Sequence, residues 1–484
     1  MLYLSLIIYN NLLIKLARKK NITLENIELT GAGTQGKAIS KRSNSKVVFT
    51  KWGVPGDIVD IRVKKKRKTY IEGEIINIHK YSPKRVRPKC SHFKLCGGCS
   101  WQNMDYKQQL FYKQNEVFEN LSRIGKIKVE KSLPIIKSDK TYFYRNKMEF
   151  SFSNSRWITK DEIKLNKKIN DKNALGFHKY GMWSKVIDIE KCYLQSNISN
   201  KIRRFIKKES LKLNLNFFDL KKQEGDIRSL MIKITLTKEI MIVIQFFKFS
   251  NNANKLLETI RDKFKEIKSL MYVVNNKKND TIYDLDLINF SGNNYITEKI
   301  NNLYFRITAK SFFQTNSYQT EKLYNIVKKL SNLTGNEIVY DLYCGIGTIS
   351  LFISKSARKV IGIETVKEAV NSAKINSKLN NIKNCKFIHG DVKDIISKPI
   401  KNYEKPDVII VDPPRNGLDK SVIYSIKKLS PKKIIYVSCN SSTQARDILE
   451  FSEFYNLKIS QPIDMFPQTF HVENVVFLEK KEND

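Results

Sequence analysis

The sequence predicts an α/β protein of three structural domains, and three observations support this prediction. With 484 residues, the chain is too long for a single core. From Glu337 onward, apolar runs alternate with amphipathic segments at spacings of roughly 20–30 residues, which is the pattern of βαβ units and a parallel sheet. Residues 22–83 instead carry short alternating runs separated by turns, which is typical of a small β-barrel.

Residues 1–21 form an N-terminal extension that we interpret as the product of a mis-assigned start codon. The run Met1–Leu13 is apolar, but it is too short to span a bilayer and lacks the flanking features of a signal peptide. The seven cysteines are odd in number, which argues against a disulfide scaffold and for a reducing compartment. We therefore expect a cytoplasmic protein without a membrane segment.

The predicted barrel, residues 22–83, has the size and strand pattern of an OB-like module. The basic run Lys64–Lys68 lies between two of its strands, where we expect it to form a loop that faces nucleic acid. The whole chain has 87 Lys and Arg against 48 Asp and Glu, a formal charge of +39. An AT-rich genome would also enrich lysine, but we favour a nucleic-acid partner because each neutralised phosphate adds affinity.

A central α+β domain is predicted over residues 84–310. It opens with a cysteine cluster, which a helical stretch from Tyr106 to Ile124 follows. The segment of about 105–130 is expected to pack on the C-terminal domain. Further along, Arg228–Ile234 and Ile240–Phe247 have the pattern of paired strands.

The C-terminal domain, residues 311–484, is predicted to be Rossmann-like. Five apolar runs are its predicted strands: Ile338–Tyr340, Val360–Ile363, Cys385–Ile388, Val408–Val411 and Ile434–Val437. In open α/β sheets, ligands bind outside the carboxyl ends of the strands. Candidate site residues should therefore follow these runs.

Polar residues do follow each of the first four strands. The glycine-rich turn Asp341–Thr348 opens a helix, and its glycines let a ligand approach the backbone closely. Glu364 ends the second strand, about 20 residues after the turn, where a carboxylate can hold ribose hydroxyls. Asp391 follows the third strand and Asp412 the fourth. A dinucleotide site is the alternative, but the third fingerprint position is Ser350. The ordered set resembles an S-adenosylmethionine site.

A thiol follows the fifth strand, in Val437-Ser438-Cys439-Asn440. Most free cysteines are small buried hydrophobes. A thiol at the ligand-binding edge of a sheet can instead be a nucleophile. Cys439 is therefore a candidate for covalent chemistry.

A second group of thiols lies near the start of the central domain. Cys90, Cys96 and Cys99 form a compact triplet, and Cys192 is a candidate fourth ligand. Structural zinc usually draws on two paired Cys or His motifs, with His92 available here. One triplet with a distant single cysteine suits an iron–sulfur cluster at least as well, so both remain open.

The motifs resemble those of the RNA uracil-C5 methyltransferases. Matching pieces run through most of the chain: Ser311-Phe312-Phe313-Gln314, Asp341–Gly347, Asp412-Pro413-Pro414-Arg415, Ser438-Cys439-Asn440 and His471-Val472-Glu473. The barrel is similar to a TRAM domain, an RNA-binding module. A TRAM-like domain together with a cysteine cluster is most similar to the 23S ribosomal RNA branch of this family.

The resemblance implies a set of site residues. It implies Cys439 and Glu473 as catalytic residues and a [4Fe-4S] cluster, with zinc as the alternative, on Cys90, Cys96, Cys99 and Cys192. The implied S-adenosylmethionine-binding positions are Gln314, Tyr343, Thr348, Glu364, Asp391 and Asp412. Thr348 departs from a common Asn at its position. We interpret Phe312 as a core aromatic, with stacking on the target base as the alternative, and His471 as a structural residue.

The implied reaction explains why a thiol and a carboxylate are needed. Because C5 of uracil is a poor nucleophile, thiolate addition at C6 is required to turn the ring into an enolate that attacks the methyl sulfonium. A base must then remove the C5 proton, and Glu473 fits this role. We expect a monomeric 23S rRNA (uracil-C5)-methyltransferase. The alternatives are a tRNA uracil-C5 methyltransferase and a non-catalytic RNA-binding assembly factor.

Overall fold

The computed structural model describes residues 22–41, 46–164, 171–398 and 403–482, so the predicted extension 1–21 lies outside the described residues. The chain forms two compact units. Of the described residues, those up to Arg87 together with Asn103–Gln108 belong to one unit, and Pro88–Gln102 together with those from Gln109 onward belong to the other. Within the described part of the chain, every helix is too short or too polar to cross a membrane.

The first unit is a six-stranded sheet in the order β1-β5-β6-β4-β3-β2. Its strands are β1 (Thr23–Glu28), β2 (Gly31–Ala32), β3 (Ala38–Lys41), β4 (Val47–Thr50), β5 (Ile58–Lys66) and β6 (Tyr70–Lys80). Alternate residues such as Val59 and Ile61 point into a small apolar core. The buried carboxylate of Asp57 accepts two hydrogen bonds of 2.7 Å from Arg85, which ties the end of the sheet to the following segment. The likeness of this unit to a TRAM domain stays a prediction.

The second unit contains most of the first helix and a seven-stranded sheet in the order β10-β9-β8-β11-β12-β13-β14. Every residue of β12 is buried, as expected of a central strand. The predicted strand pair is confirmed as β11 and β12. The elements are α1 (Tyr106–Arg123), β7 (Lys131–Ser132), β8 (Lys147–Ser153), α2 (Lys160–Lys164), β9 (Ala174–Lys179), β10 (Met182–Asp188), α3 (Asn197–Lys212), β11 (Ile227–Ile234), β12 (Ile240–Phe246), α4 (Asn251–Lys263), β13 (Ile267–Val274), β14 (Ile288–Gly292), β15 (Tyr295–Ile300) and β16 (Leu303–Thr308).

The same unit continues into a sheet of eight strands in the order β19-β18-β17-β20-β21-β23-β22-β7. The elements are α5 (Ser317–Ser331), β17 (Ile338–Leu342), α6 (Thr348–Ile353), β18 (Lys359–Glu364), α7 (Lys367–Leu379), β19 (Cys385–His389), α8 (Val392–Ile396), β20 (Val408–Val411), α9 (Lys420–Leu429), β21 (Lys433–Ser438), α10 (Ser441–Phe451), β22 (Tyr455–Ile463) and β23 (Glu473–Lys480). The five strands β17–β21 pair in parallel, and β23 is antiparallel to its two neighbours. The predicted α/β fold is confirmed.

The eight-stranded sheet is covered on both faces. Val339 of β17 belongs to the apolar core on one face, and Tyr340 belongs to the core on the other. This two-sided burial explains why the parallel strands appear in the sequence as continuous apolar runs. It also leaves the carboxyl ends of the strands as the place where polar side chains collect.

Helix α1 packs on the sheet. Its Val117 and Leu121 belong to the same apolar core as Tyr436. The ammonium group of Lys113 lies 2.6 Å from Asp464 Oδ1, and both side chains are fully buried. These contacts tie a helix from early in the chain to the loop that follows β22.

Candidate active site

Five of the sequence-predicted residues follow the parallel strands directly. Tyr343 follows β17, Glu364 ends β18, Asp391 lies two residues beyond β19, Asp412 follows β20 and Cys439 follows β21. Because all five strands are parallel, these residues collect at one edge of the sheet. The structure therefore brings the predicted site together.

The glycine turn leaves an open space beside Glu364. A Cβ atom built on Gly345 would have no other heavy atom within 4 Å, and φ at Gly345 is +55°. The Gly345 amide donates to Glu364 Oε2 at 3.0 Å, which fixes the carboxylate beside the turn. A ligand can thus approach the backbone at Gly345 while a carboxylate faces it.

Tyr343 and Asp391 border the same edge. Tyr343 has a left-handed φ of +65°, which turns the chain out of β17. Burial and the nearby Asp391 raise the pKa of Tyr343 to about 12. Asp391 is the N-cap of α8, because its side chain accepts a hydrogen bond from the Lys393 amide. Part of its acceptor capacity is thus already used within the protein.

Thr348 begins α6, and its Oγ1 accepts a hydrogen bond of 2.9 Å from the Tyr324 hydroxyl. Tyr324 lies on α5 and is 2% exposed. Sequence reasoning did not identify Tyr324, because it lies in a helix with no motif around it. Gln314 is buried in the segment before α5, and its carbonyl accepts from Asn146.

Three carboxyl groups at this edge are buried, and burial disfavours their charged forms. Burial and the neighbouring Asp341 raise the pKa of Asp412 to about 7. Burial also raises the pKa of Asp341 to about 7, although Ser350 donates a hydrogen bond to it. Burial and Asp412 raise the pKa of Glu473 well above its usual value. A cation bound among these groups would favour their ionised forms.

Cys439 and Glu473 face each other through strand register. Ser438 of β21 pairs with Asn474 of β23, so Cys439 is one residue beyond this pair and Glu473 one residue before it. Burial, Glu473 and Asp412 together raise the pKa of the Cys439 thiol to about 11. The Arg415 side chain opposes this effect through its charge and a hydrogen bond to the thiol.

Arg415 is therefore a functional candidate that sequence reasoning named only as part of a motif. The signal was present in Asp-Pro-Pro-Arg, but nothing in the sequence joins this arginine to the thiol 24 positions later. A cation beside a thiol favours the thiolate, which is the reactive form.

The structure also describes Phe312 and His471, the two residues that we did not place in the catalytic or cofactor-binding set. The Phe312 side chain is 69% exposed, so its interpretation as a core aromatic is wrong. Burial and Arg415 lower the pKa of His471 to about 4. His471 is therefore neutral at neutral pH, and its structural role stays a prediction.

The four cysteines of the predicted metal site line one cavity of about 350 Å³, together with His92, Arg145 and Tyr193. Within the described ranges, no three His, Cys, Asp or Glu side chains are grouped so that they could hold a single metal ion. Thus the thiols share a cavity, while the metal that they would bind stays a prediction.

Comparisons with known proteins place the chain in a family. The profile of the tRNA (uracil-5-)-methyltransferase family matches residues 106–481. An uncharacterized RNA methyltransferase of Bacteroides thetaiotaomicron is 47% identical over 456 residues, covering 92% of this chain and 99% of the relative. A second, from Porphyromonas gingivalis, is 44% identical over 463 residues, covering 93% of this chain and 99% of the relative.

A solved structure is similar over nearly the whole length. It is the tRNA (uracil-54, C5)-methyltransferase of Pyrococcus abyssi in complex with S-adenosyl-L-homocysteine, with a TM-score of 0.73 and 26% identity. The alignment covers 94% of this chain and all of the Pyrococcus abyssi chain. The fold, the edge site and these matches agree, and the chain belongs to the family of RNA uracil-C5 methyltransferases.

Proposed function

We propose that the protein transfers a methyl group from S-adenosylmethionine to C5 of a uridine in 23S rRNA. The observation that carries this proposal is the placement of Cys439 and Glu473 across the end of β21 and β23, one residue either side of the Ser438–Asn474 pair. A thiol alone at this edge would fit many reactions. A thiol opposite a buried carboxyl group matches the two chemical demands of methylation at a pyrimidine C5.

The Cys439 thiolate adds to C6 of the uracil ring, forming a carbon–sulfur bond and an enolate. The C5 carbon of the enolate takes the methyl group of S-adenosylmethionine, the sulfur–methyl bond breaks to leave S-adenosylhomocysteine, and C5 then carries both methyl and hydrogen. Arg415 stabilises the thiolate form, since it lowers the pKa of Cys439 against the opposing effects of burial and Glu473. The target base must leave its stack in folded RNA to reach this edge of the sheet.

Glu473 then removes the C5 proton. The C–H electron pair forms the C5–C6 double bond, the C6–S bond breaks, and Cys439 leaves as the thiolate. The carboxyl group must be ionised to accept the proton, and burial with Asp412 raises the pKa of Glu473 in the ligand-free site. The positive sulfonium of the methyl donor, bound among these carboxyl groups, would favour the ionised form.

The choice of 23S rRNA rests on the TRAM-like barrel and the cysteine cluster. The net charge of +39 suits any RNA and does not separate the candidates. Transfer RNA is the second candidate, and the likeness to the Pyrococcus abyssi tRNA (uracil-54, C5)-methyltransferase supports it.

We also propose that Cys90, Cys96, Cys99 and Cys192 hold a [4Fe-4S] cluster, with zinc as the alternative. A cluster takes one thiolate on each of several iron atoms and is larger than one ion. A cavity of about 350 Å³ that all four thiols line suits a ligand of that size. Broad visible absorbance from protein purified without oxygen would support the cluster. A colourless protein that contains zinc would refute it.

The experiment for the main proposal uses labelled S-adenosylmethionine with separate rRNA and tRNA pools. We expect label in 23S rRNA at C5 of a uridine, and no label with Cys439→Ala. Cys385→Ala is the matched control, because Cys385 is a buried thiol whose Sγ donates to the Ser350 carbonyl. Label in tRNA alone would select the second candidate. No label in either pool, with RNA bound, would favour an assembly factor.

A further inference from the structure

The candidate base directly follows a loop that is hydrogen-bonded to earlier segments of the chain. Residues 464–472, here the 464–472 loop, join β22 to β23 and end immediately before Glu473. Glu473 pairs with Ile463 of β22, whereas the pairing with β21 begins only at Asn474. The approach of the Glu473 carboxylate to a substrate thus depends on how this loop is held.

The loop is bound to the segment that carries the cysteine triplet. The backbone amides of Ser100 and Trp101 both donate to the Gln468 carbonyl at 3.0 Å. The Phe470 amide donates to Ser100 Oγ at 3.2 Å. Because Ser100 follows Cys99 directly, the cysteine segment and the loop before Glu473 form one hydrogen-bonded assembly.

Two glutamines close this assembly. The backbone amide of Gln468 donates to Gln109 Oε1 at 2.9 Å, and the side-chain Nε2 of Gln109 donates to Gln468 Oε1 at 3.2 Å. Gln109 Nε2 also donates to the Trp101 carbonyl at 3.0 Å. Both glutamines are buried, where unmade hydrogen bonds are costly. Gln468 also has a left-handed φ of +69°, a conformation that the surrounding contacts must hold in place.

The other end of the loop is held by the same helix. Lys113 Nζ donates to Asp464 Oδ1 and to the Phe466 carbonyl, at 2.6 and 3.0 Å. Gln109 and Lys113 of this helix hold the loop, whereas the segment that carries Cys439 meets the same helix at Asn120, whose Nδ2 donates to Ser441 Oγ at 2.8 Å. Cys439 itself follows β21, which lies between β20 and β23 in the sheet. Disturbing the loop should therefore affect the base more than the nucleophile.

We propose that Gln109 is a positioning residue for proton removal, acting on Glu473 through Gln468 and the 464–472 loop. This inference rests on the proposed covalent mechanism. The cysteine segment then contributes to catalysis by holding the same loop through Ser100 and Trp101. The contact of Gln109 with the 464–472 loop controls two steps, which are proton removal from C5 and release of Cys439. Addition of the thiolate at C6 does not require it.

The test follows the covalent protein–RNA adduct in single-turnover reactions, measuring its formation and its decay. Gln109→Ala should slow decay about 10- to 100-fold, because small displacements of a reacting group have effects of that size. The rate of adduct formation should stay within about threefold of wild type, because the variant displaces the base and not the nucleophile. Gln468→Gly removes only the side-chain contact and suits the left-handed φ, so decay should slow about 2- to 10-fold.

Gln114→Ala is the matched control. Gln114 lies on the same helix, and its Oε1 accepts a hydrogen bond of 2.6 Å from the Ile135 amide. The segment that this bond holds meets the loop at Asp464, nine residues before Glu473, where the Asp464 amide donates to the Ile136 carbonyl. It should resolve the adduct at the wild-type rate. Glu473→Gln gives the reference for a blocked base.

The proposal would be overturned by a folded Gln109→Ala protein that resolves the adduct as fast as wild type. Equal slowing of adduct formation and adduct decay in Gln109→Ala would also overturn the proposal. If Gln109→Ala fails to fold, a wild-type decay rate in Gln468→Gly decides against the proposal. An active Cys439→Ala protein would instead refute the covalent mechanism itself, so the two failures are distinguishable.

Discussion

Arg415 donates a hydrogen bond to the Cys439 thiol and lowers its pKa, in opposition to burial, Glu473 and Asp412. The raised pKa of about 11 means that the thiol holds its proton in the ligand-free protein. The two ionic neighbours with opposite effects, Arg415 and Asp412, lie three residues apart in the turn after β20. Their removal should therefore change thiol reactivity in opposite directions.

Alkylation of Cys439 tests this arrangement. Arg415→Gln should raise the pKa of Cys439 and slow its reaction with iodoacetamide at pH 8 about 3- to 10-fold. Asp412→Asn should speed the reaction by a similar factor, since Asp412, with a pKa of about 7, is largely ionised at that pH. Mass spectrometry of the Cys439 peptide gives the rates. Arg358→Gln, which breaks an exposed pair with Glu404, is the control. Equal rates in all variants would contradict the arrangement.

Gly345 and Gly347 should respond differently to the same substitution. Both have a left-handed φ, which costs alanine about 1–2 kcal/mol in each case. A Cβ on Gly347 would lie 2.9 Å from the Phe387 ring, whereas one on Gly345 would enter open space. Gly347→Ala should therefore lose about 2–5 kcal/mol of unfolding free energy. Gly345→Ala should lose less stability.

Gly345→Ala should weaken cofactor binding more than Gly347→Ala does. The space beside Gly345 faces Glu364, so a methyl group there should weaken S-adenosylhomocysteine binding by about 1–3 kcal/mol. Calorimetric titration measures the affinity, and urea unfolding measures the stability. Unchanged binding in a folded Gly345→Ala protein would place the cofactor elsewhere.

Replacing only one partner of the buried pair of Lys113 and Asp464 should lower the free energy of unfolding. Lys113→Met removes the cation that faces the buried Asp464 carboxylate and should lower the free energy of unfolding by about 3–5 kcal/mol. Adding Asp464→Asn removes that charge and keeps an oxygen that can accept from the Phe466 amide. The double variant should regain most of the loss. If the double variant is less stable than Lys113→Met alone, the buried charge of Asp464 is not the cause of the loss.

The sequence predicts strands better than contacts in this protein. The run Val408–Val411 is found as predicted, because a strand buried on both faces is apolar throughout. The helix predicted from Tyr106 to Ile124 ends at Arg123, one residue earlier. Once the parallel strands are known, their carboxyl ends locate Glu364 and Cys439 without further information.

Contacts between distant parts of the chain carry no such local signal. Gln109 and Gln468 are 359 residues apart, and a glutamine in an amphipathic helix is normally taken as exposed. Lys113 is a stronger example, because lysine is almost never fully buried without a partner. Its partner Asp464 is 351 residues away and could not be found from spacing or composition.

Asp341 makes stability depend on pH. Its side chain is 1% exposed, and burial raises its pKa from 3.8 to about 7. The folded state therefore binds this proton more tightly than the unfolded state does. Between these two values, unfolding releases a proton, so the contribution of Asp341 to stability falls as pH rises. Above about pH 7, the loss is complete.

Asp341→Asn should remove this dependence. The unfolding free energy of the variant should exceed that of wild type by a margin that grows from pH 4 to pH 7 and then levels off. At about 1.4 kcal/mol for each pKa unit, the upper limit is about 4 kcal/mol. Ser350→Ala should extend the fall to higher pH, because the Ser350 hydroxyl donates to Asp341 and lowers its pKa. Urea unfolding at several pH values measures both effects. A margin that shrinks with rising pH would mean that Asp341 is ionised in the folded protein.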